Sequence, residues 1–509
     1  MSVLLIAALT LGQLQYHHRH PGFFDARDMR DSPNGADHFR RAHVILRRAA
    51  SIAPLSAPNT TIIRPTDFGA DPTGVKISSA AFKLAVDALL SLARPDRKDF
   101  LGLYDLGGAT MDLSGGVYRV SRPVAFPAGY ANFKVMRGSL VASDAFDGGF
   151  MLSVGGGPAG CAAPPTTGLK AGNCNSNIDI SHVTLDGRRK AAGGLLVNHT
   201  MDVNIGPAMM VVGYTNEGIS LAGSGAAFVS HAWLGAESPG SPTPRTNATG
   251  TAIVLDHGQH DAMIEDVIIF SGQHGVRSAN GANRLQGVHA WNLAGSQGGI
   301  GIDIGAAWPH GVSGGRVQNC YLDYAPLVVR NPGNLLVTAN LFLGSSAIVL
   351  RAASAKFAVR NLIITNNEHH TNNRANSSFI VDERGGTFAS VTDVVVENNQ
   401  VDATDAKVRQ ASTRATKSAP LHAGDSSALI YYNDSILFPS VPLDTASLRC
   451  WLYGPHATAL SASLKYTHAI LVHLAEVVPA SVGEGEVTVT CEVDQSTRSG
   501  LRARALSEI

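Results

Sequence analysis

The 509-residue chain has little charge: only 16% of its residues are Asp, Glu, Lys or Arg, and 40 basic residues balance 40 acidic ones. Proteins that bind nucleic acids depend on a basic surface that displaces counterions from the phosphates. A chain without net charge has no such overall field to attract a polyanion. We therefore expect no nucleic-acid partner.

Long hydrophobic runs are also missing, so no membrane span is predicted. Residues 1–14 are apolar but too short to cross a bilayer, and they lack the basic residues that usually open a signal peptide. A signal peptide and an ordinary apolar terminus fit these residues equally. Glycosylation sequons favour the signal peptide and predict a secreted glycoprotein; they stand at Asn59, Asn198, Asn247, Asn376 and Asn433.

Cysteine is scarce, with five residues in the chain. Cys161 and Cys174 bracket a loop rich in Gly and Pro, and Cys450 and Cys491 bracket strand-like segments, so both pairs predict disulfides of an oxidising compartment. Cys320 lies alone in an apolar segment and is predicted to be inert core. The spacings match no zinc pattern, and we expect neither a metal nor another cofactor.

Glycine, by contrast, is abundant at 53 residues. Gly and Asn suit tight turns because both tolerate left-handed backbone angles. Between residues 116 and 399, two interleaved series of short apolar segments recur about every 20–30 residues, the period of a solenoid unit. A pair of β-sandwiches would show strands of strict two-residue alternation instead. The repeat favours an all-β parallel solenoid.

The second series carries an aromatic residue and an asparagine at similar places in successive units. Like residues stack in a solenoid, so the aromatics are expected to form an internal ladder, and the asparagines to bond backbone groups at a bend. The aromatics are Phe270, Trp291, Tyr321 and Phe342, and the asparagines are Asn319, Asn340 and Asn366.

The remaining segments give the domain organisation. Phe82, Ala85, Val86 and Leu89 share one face of a predicted helix that covers the open end of the first coil. We expect a signal peptide over 1–14, an Arg-rich helical arm over 15–63 and the solenoid over 64–405. A polar linker over 406–428, a small β-rich region over 429–495 and a disordered tail over 496–509 complete the chain.

The stretch DFGADPTG at 67–74, with the helix after it, resembles the N-terminal signature of the pectate-lyase superfamily. The segments GTAIVLD at 250–256, DVIIF at 266–270, GVHAWN at 287–292 and NCYLDY at 319–324 are similar to the quartet-type polygalacturonases. These plant enzymes, related to glycoside hydrolase family 28, are associated with pollen-tetrad separation. The resemblance covers about residues 66–495. It implies a right-handed parallel β-helix, a pectin-like polygalacturonan substrate, a place in the cell wall and a monomer.

The chain departs from the family where the chemistry should be. Typical polygalacturonases place Asn-Thr-Asp, Asp-Asp and Gly-His-Gly ahead of equivalent strands on three coils, and an Arg-Ile-Lys segment later. Here the matching positions read Asn216-Glu217, Gly250-Thr251 and Gln273-His274. The Asp pair is missing, and no clear Arg-Ile-Lys follows.

Other carboxylates are therefore candidates. An inverting glycosidase needs one carboxylic acid and one carboxylate on opposite sides of the scissile bond. We assign these roles to Glu217 and Asp256, and expect His274 to orient one of them or to bind substrate. Asp256 has an alternative role as the cap of a turn.

Three further residues complete the predicted site. Asp303 is a catalytic candidate that projects outward one coil from Arg277, and Arg277 would pair with a uronate carboxylate. Asp266, around the next turn from Asp256, is a candidate for binding substrate. An ordinary surface ion pair between Arg277 and Asp303 is the alternative.

Three function classes remain open. The first is a secreted glycoside hydrolase of polygalacturonase type. The second is a uronate lyase, which would need clustered carboxylates for calcium and an Arg or Lys base; no tight carboxylate cluster stands out in the sequence. The third is a non-catalytic β-helix that binds wall polysaccharide, which the missing Asp pair permits.

Overall fold

A computed structural model gives the fold. It describes residues 61–156, 174–237, 249–256, 259–279, 282–291, 299–305, 314–370, 379–402, 412–432, 436–438, 440–441, 443, 447–454, 460–466, 469–479, 481, 483 and 487–496. The predicted signal peptide, most of the predicted arm, Cys161 and four of the sequon asparagines (Asn59, Asn247, Asn376 and Asn433) lie outside these residues.

A 3-10 helix, Pro65–Phe68, and one α-helix, α1 (Ser79–Leu90), stand at the start of the described chain. Phe82, Ala85, Val86 and Leu89 are buried, so α1 turns the face expected from its apolar spacing towards the solenoid core. The helix packs on strands of the first coils and covers their exposed interior.

Thirty strands of the described residues belong to the solenoid. In chain order they are β1 Ile62–Ile63, β2 Thr73–Ile77, β3 Tyr104–Asp112, β4 Val117–Val120, β5 Val124–Phe126, β6 Tyr130–Ala142, β7 Phe150–Gly155, β8 Asn175–Asp186, β9 Gly193–Asn198, β10 Thr200–Ile205, β11 Met209–Val212, β12 Glu217–Ala222, β13 Gly225–Ser230, β14 Ala232–Gly235, β15 Thr251–Leu255, β16 Met263–Phe270, β17 His274–Ser278, β18 Arg284–Trp291, β19 Ile300–Ile304, β20 Gly315–Gln318, β21 Tyr321–Asp323, β22 Leu327–Arg330, β23 Gly333–Thr338, β24 Leu341–Leu343, β25 Ile348–Arg351, β26 Lys356–Thr365, β27 Glu368–His370, β28 Phe379–Asp382, β29 Thr387–Glu397 and β30 Gln400–Asp402.

These strands make two long parallel sheets. A 10-stranded sheet runs from β5 to β28, and a 20-stranded sheet wraps the other faces. Each coil contributes one strand to the first sheet, and each strand pairs with its counterpart one coil away, as Ile253, Val276 and Ile302 show. Their side chains stack in one continuous core. The predicted right-handed parallel β-helix is confirmed.

The expected internal aromatic ladder is wrong for three of its four residues. Phe342 is fully buried, but Phe270, Trp291 and Tyr321 point outward. Side chains alternate between the two faces of a strand, and the register aligns Phe342 with Ile269, Ala290 and Leu322 rather than with the aromatics beside them. A shift of one residue thus places those aromatics on the surface.

An asparagine ladder exists, with different members. The backbone N–H of Asn340 donates to Oδ1 of Asn367 (3.1 Å), and Nδ2 of Asn367 donates to Oδ1 of Asn399 (2.8 Å). Asn319 and Asn366 instead adopt φ angles of 53° and 57° at the bends. Only Asn340 of the expected set joins the buried ladder, because the ladder position follows the left-handed position by one residue.

The C-terminal region contains two three-stranded antiparallel sheets with a separate core. Its strands are β31 Arg414–Leu421, β32 Ser427–Tyr431, β33 Arg449–Tyr453, β34 Leu460–Tyr466, β35 Ala469–Leu474 and β36 Val487–Asp494. The predicted disulfide between Cys450 and Cys491 joins β33 to β36. No helix in the described part of the chain has both the length and the apolarity to cross a bilayer.

Two predicted boundaries change in this region. β31 occupies residues 414–421 of the expected linker over 406–428. Exposed and half-buried residues alternate along it, and it pairs with β36; the polar residues of its outer face led to the linker prediction. The expected disordered tail over 496–509 is wrong at Ser496, which is buried and whose Oγ accepts a hydrogen bond from the N–H of Val394 (2.7 Å); residues 497–509 lie outside the described residues. Cys174 is disulfide-bonded. Cys320 is a buried free thiol, as expected, and burial raises its pKa to about 12.

Candidate functional site

The outer surface of the 10-stranded sheet brings most of the predicted site residues together. Glu217, Thr251 and His274 stand at register-paired positions on β12, β15 and β17. Three residues further along, Arg277 on β17 pairs with Asp303 on β19. Asp303 therefore lies one coil from Arg277, as the repeat predicts.

A groove of about 330 Å³ opens beside these strands. Four charged side chains line it: Asp256, Arg277, Asp303 and Arg330. The other lining residues are small or apolar, namely Val254, Leu255, Ser278, Ala279 and Gly305. The small residues Ala279 and Gly305 leave the space between the charged groups open.

Arg330 fixes the position of Asp303. Its Nε donates to Oδ1 and its Nη2 to Oδ2 of that carboxylate, both at 2.8 Å. The Asp303 side chain is only 6% exposed, whereas the Arg330 side chain is 34% exposed. Hydrogen bonding to Asp303 is the main cause that raises the pKa of Arg330. A bidentate pair of this kind holds both side chains in one geometry.

Glu217 leans towards Arg277 from two strands away. Nη2 of Arg277 lies 3.6 Å from Oε1 of Glu217, with 48% of the Arg277 side chain and 19% of the Glu217 side chain exposed. The contact is too long for a good hydrogen bond. Arg277 is thus attracted by Glu217 while much of its guanidinium still faces solvent at the groove.

His274 lies half-buried at the start of β17. Burial is the largest cause that lowers its pKa; Asp303 acts in the opposite direction, and Arg277 and Arg330 lower it further. A lowered pKa keeps the imidazole neutral over a wider pH range. A neutral imidazole can both donate and accept a hydrogen bond, which suits contact with sugar hydroxyls.

The register separates Glu217 from Asp256. Glu217 is paired with Thr251 at the start of β15, and Asp256 comes directly after the last residue of that strand. Their Cα atoms are on the order of 15 Å apart at about 3.3 Å per residue. Glu217 is also absent from the groove lining. The carboxylate that shares the groove with Asp256 is Asp303.

Asp256 and Asp303 have a closer relationship. Asp256 lies two residues beyond Val254, and Val254 shares a register row with Arg277 and Asp303 on the next two strands. Spacings of about 4.8 Å per strand and 3.3 Å per residue put the two Cα atoms about 12 Å apart. Side chains that converge over Ala279 would bring the carboxyl groups towards the roughly 6.5–9.5 Å of inverting glycosidases.

The backbone at Gly250 does not suit an aspartate. Gly250 adopts a φ of 113°, and a Cβ there would lie 3.0 Å from the carbonyl oxygen of Asn216 and 3.3 Å from the Tyr214 ring. That conformation is essentially restricted to glycine. The neighbouring Thr251 is buried. An aspartate at 250 would therefore require a different turn.

Asp266 does not join the groove. It lies on β16 of the 20-stranded sheet with a φ of 49°, and its Oδ2 is 3.7 Å from Nε2 of His231. Its left-handed conformation marks a bend between two faces of the solenoid. The structure thus places this predicted substrate-binding residue on another side of the coil stack.

Sequence reasoning missed Arg330 and its neighbours. Arg351, one coil further, aligns with Arg330; its Nε donates to Oδ2 of Asp382 at 2.8 Å, and Arg384 binds the same carboxylate through two contacts of 2.8 Å. The hydrogen bond from Arg384 is the main cause that lowers the pKa of Asp382. Arg330 and Arg351 each follow an apolar tripeptide of the repeat, and a search at that offset would have found both.

One predicted glycosylation site, Asn198, lies among the described residues. Asn198 is the last residue of β9, and its side chain contacts the ring of His199. Among the described residues, no group of three His, Cys, Asp or Glu side chains is placed to hold a metal ion. The carboxyl groups of the groove can donate and accept protons, and its guanidinium groups can bind anions.

The chain is similar to several known proteins. No family model matches the chain. It is 28% identical over 395 residues to Polygalacturonase QRT3 of Arabidopsis thaliana, covering 76% of this chain and 76% of that protein. Solved structures that are similar include PfbA, a surface adhesin of Streptococcus pneumoniae (TM-score 0.42, 14% identity, 67% of this chain and 91% of that chain). Another is the A-module of mannuronan C-5 epimerase AlgE6 of Azotobacter vinelandii (TM-score 0.37, 14% identity, 68% and 97%).

Proposed function

Because the chain is a polygalacturonase-like right-handed β-helix protein, we propose that it is a glycoside hydrolase that cleaves a pectin-like polymer of uronic acids. The observation that supports this most directly is the groove in which Asp256 and Asp303 face two arginines. Carboxyl groups supply the acid and the base of glycoside hydrolysis, and arginines match the carboxylates of a polyuronate.

The proposed reaction uses Asp303 as base and Asp256 as acid. Asp256, exposed at the rim, donates a proton to the glycosidic oxygen as the bond from C1 to that oxygen breaks. A water molecule attacks C1 from the other side and gives its proton to Asp303. Two hydrogen bonds from Arg330 hold the Asp303 carboxylate in place for this step. One proton is donated and one is taken up, so the balance closes.

The cationic side chains would bind the polymer. Arg277 has nearly half of its side chain exposed beside the groove, and Glu217 orients it from two coils away. Because coils stack about 4.8 Å apart, a polymer lying along the solenoid would meet successive coils with successive sugars. We assign Glu217 to positioning Arg277, and His274 to hydrogen bonding with sugar hydroxyls.

The decisive experiment incubates purified protein with polygalacturonan, with and without calcium. New reducing ends without ultraviolet absorbance support hydrolysis. Absorbance from an unsaturated product would establish the lyase, and binding without either product would establish the non-catalytic β-helix.

Single variants then test the roles. Asp256→Asn and Asp303→Asn should each lower kcat about 100-fold or more. Glu217→Gln should mainly raise KM, because it only positions Arg277. Asp144→Asn, an exposed carboxylate paired with Arg119 elsewhere on the solenoid, is the matched control and should leave activity unchanged. Full activity of Asp256→Asn would refute the assignment.

The proposal places this hydrolase outside the cell, as a monomeric glycoprotein of the wall. The five sequons and the apolar residues 1–14 support it. Expression in a plant or yeast secretion host gives the test: the protein should reach the medium and lose mass on treatment with an endoglycosidase. Retention in the cell without glycans would contradict this part of the proposal.

A further inference from the structure

An aromatic strip runs along another face of the solenoid, on the 20-stranded sheet. Its outward positions come from β14, β16, β18, β21 and β24, on five successive coils. We define the strip by its large outward side chains: Trp233, Ile268, Phe270, His289, Trp291, Tyr321, Tyr324, Leu341 and Leu343. Trp291 is 42% exposed.

The rings of the strip follow one another from coil to coil. Ring centroids lie 6.3 Å apart between Trp233 and Phe270, and 5.1 Å apart between Phe270 and Trp291. His289 and Tyr321 lie 4.4 Å apart on the next pair of coils. One coil rises about 4.8 Å, close to the length of one sugar ring in an extended chain.

Glycines let two of these rings lie along the surface. A Cβ at Gly235 would come 3.2 Å from Cζ3 of Trp233, and a Cβ at Gly344 would come 2.6 Å from Cε1 of Tyr324. Three atoms of the Tyr324 ring meet the position at Gly344, so this ring covers a residue without a side chain, whereas Trp233 approaches Gly235 with one ring atom. A ring that lies over backbone in this way turns its other face towards solvent, where a flat apolar surface can pack on it.

The charges along the strip differ from those in the groove. The strip lies on β14, on residues 267–270 of β16 and 288–291 of β18, and on β21 and β24. Its outward positions contain Asp323 and the imidazole of His289 but neither Lys nor Arg, whereas Glu265, Asp266 and Arg284 lie on the earlier halves of β16 and β18. Burial is the main cause that raises the pKa of Asp323 and lowers that of His289. A surface with a carboxylate and without cations repels a polyuronate and suits an uncharged ligand.

We propose that the aromatic strip binds a neutral polysaccharide chain that lies along the solenoid axis. The apolar faces of successive sugar rings pack on Trp233, Trp291 and Tyr324. Sugar hydroxyls bond to the polar tips that stand among the rings, such as the Tyr321 phenol and the Asp323 carboxylate. This binding is separate from the proposed hydrolysis, since it uses another face and none of the groove residues.

The test measures binding of soluble β-1,4-galactan, a neutral polymer, by isothermal titration, with polygalacturonan of matched length as the second probe. The full chain should bind galactan, and Trp233→Ala/Trp291→Ala should weaken that affinity about tenfold or more. Phe100→Ala, which removes an aromatic 70% exposed outside the strip, is the matched control and should bind as the parent does. Thermal unfolding of each variant checks that the solenoid is intact.

Several outcomes would overturn the proposal: no galactan binding by the parent, equal binding by the double variant, or an equal loss in Phe100→Ala. A loss of polygalacturonan affinity in the double variant would overturn the choice of a neutral ligand. Hydrolysis of short oligogalacturonides should not change in the double variant. Because that rate is measured separately, failure of the strip and failure of the proposed hydrolase remain distinguishable.

Discussion

The groove and the aromatic strip use the same coil stack in opposite ways. In the groove, polar side chains are held by other side chains: Arg330 grips Asp303 with two hydrogen bonds. In the strip, rings pack on the backbone and on one another: Tyr324 lies over Gly344, and the ring centroids of Trp233 and Phe270 are 6.3 Å apart. The nearly buried Asp303 thus depends on a partner from the next coil, whereas the Tyr324 ring needs only a small residue beneath it.

This difference predicts unequal dependence of stability on the two surfaces. Arg330→Ala leaves the Asp303 carboxylate almost fully buried without its guanidinium partner, so we expect a loss of about 3 kcal/mol in the free energy of unfolding, measured in urea. Activity should fall with it, since Asp303 loses its fixed position. Arg94→Ala, which removes an exposed pair with Asp96, should cost less than about 1 kcal/mol. Equal costs would remove the distinction.

Acid should act on the interior of the solenoid one coil beyond the strip. His369 is buried between Phe342 and Phe379, beside His370; neither ring nitrogen has a hydrogen-bond partner among the described residues, and burial lowers its pKa to about 4. The unfolded chain binds this proton near pH 6.5 and the folded chain only near 4. Stability from this site is complete above pH 6.5 and falls by about 2–3 kcal/mol as pH drops to 4.

The variant His369→Phe isolates that effect. It should remove this part of the acid sensitivity, because phenylalanine fills the same apolar space without a proton to bind. Urea unfolding at pH 7, 5.5 and 4 gives the measurement, and the exposed His422→Phe is the control, which should keep the slope of the parent. A pH slope that persists in His369→Phe would show that other groups carry it.

Salt should separate the two binding surfaces. Binding of polygalacturonan in the groove depends on Arg277 and Arg330, so its affinity should fall about tenfold between 20 and 500 mM NaCl as screening increases. Galactan on the strip meets no cation and should bind equally at both concentrations. Titration of each polymer at the two concentrations decides the matter. A salt-sensitive galactan affinity would indicate that charged groups contribute to binding at the strip.

Most of the fold could be predicted from sequence, because each coil repeats a short apolar segment and the segments stack. The row of Arg277 with Asp303 follows from the same repeat, and the helix α1 follows from the helical spacing of its apolar residues. The sequence says less about which face of a strand a side chain points from. Phe270, Trp291 and Phe342 hold similar places in the repeat, yet a register shift of one residue turns Phe342 inward.

The site itself could be predicted only in part. Asp256 and Asp303 share a groove because β15 and β19 flank β17, one coil to each side. Glu217 is the first residue of β12, whereas Asp256 follows the last residue of β15. That distinction depends on register, which is a property of paired strands rather than of one segment. The repeat marks the position of Arg330, but its importance comes from Asp303, 27 residues earlier in the chain.

Replacement of Arg277 should have the smallest effect on the free energy of unfolding, and it should separate substrate binding from stability most clearly. Its contact with Glu217 spans 3.6 Å and its side chain is 48% exposed, so Arg277→Ala should change the free energy of unfolding by less than about 1 kcal/mol. The loss of a cation beside the groove should raise KM for polygalacturonan several-fold, with kcat nearly unchanged, because the arginine contacts substrate and transition state alike. Arg277→Lys should recover part of that KM. Galactan affinity should not move in either variant, and a parallel loss there would mean that the two surfaces are coupled.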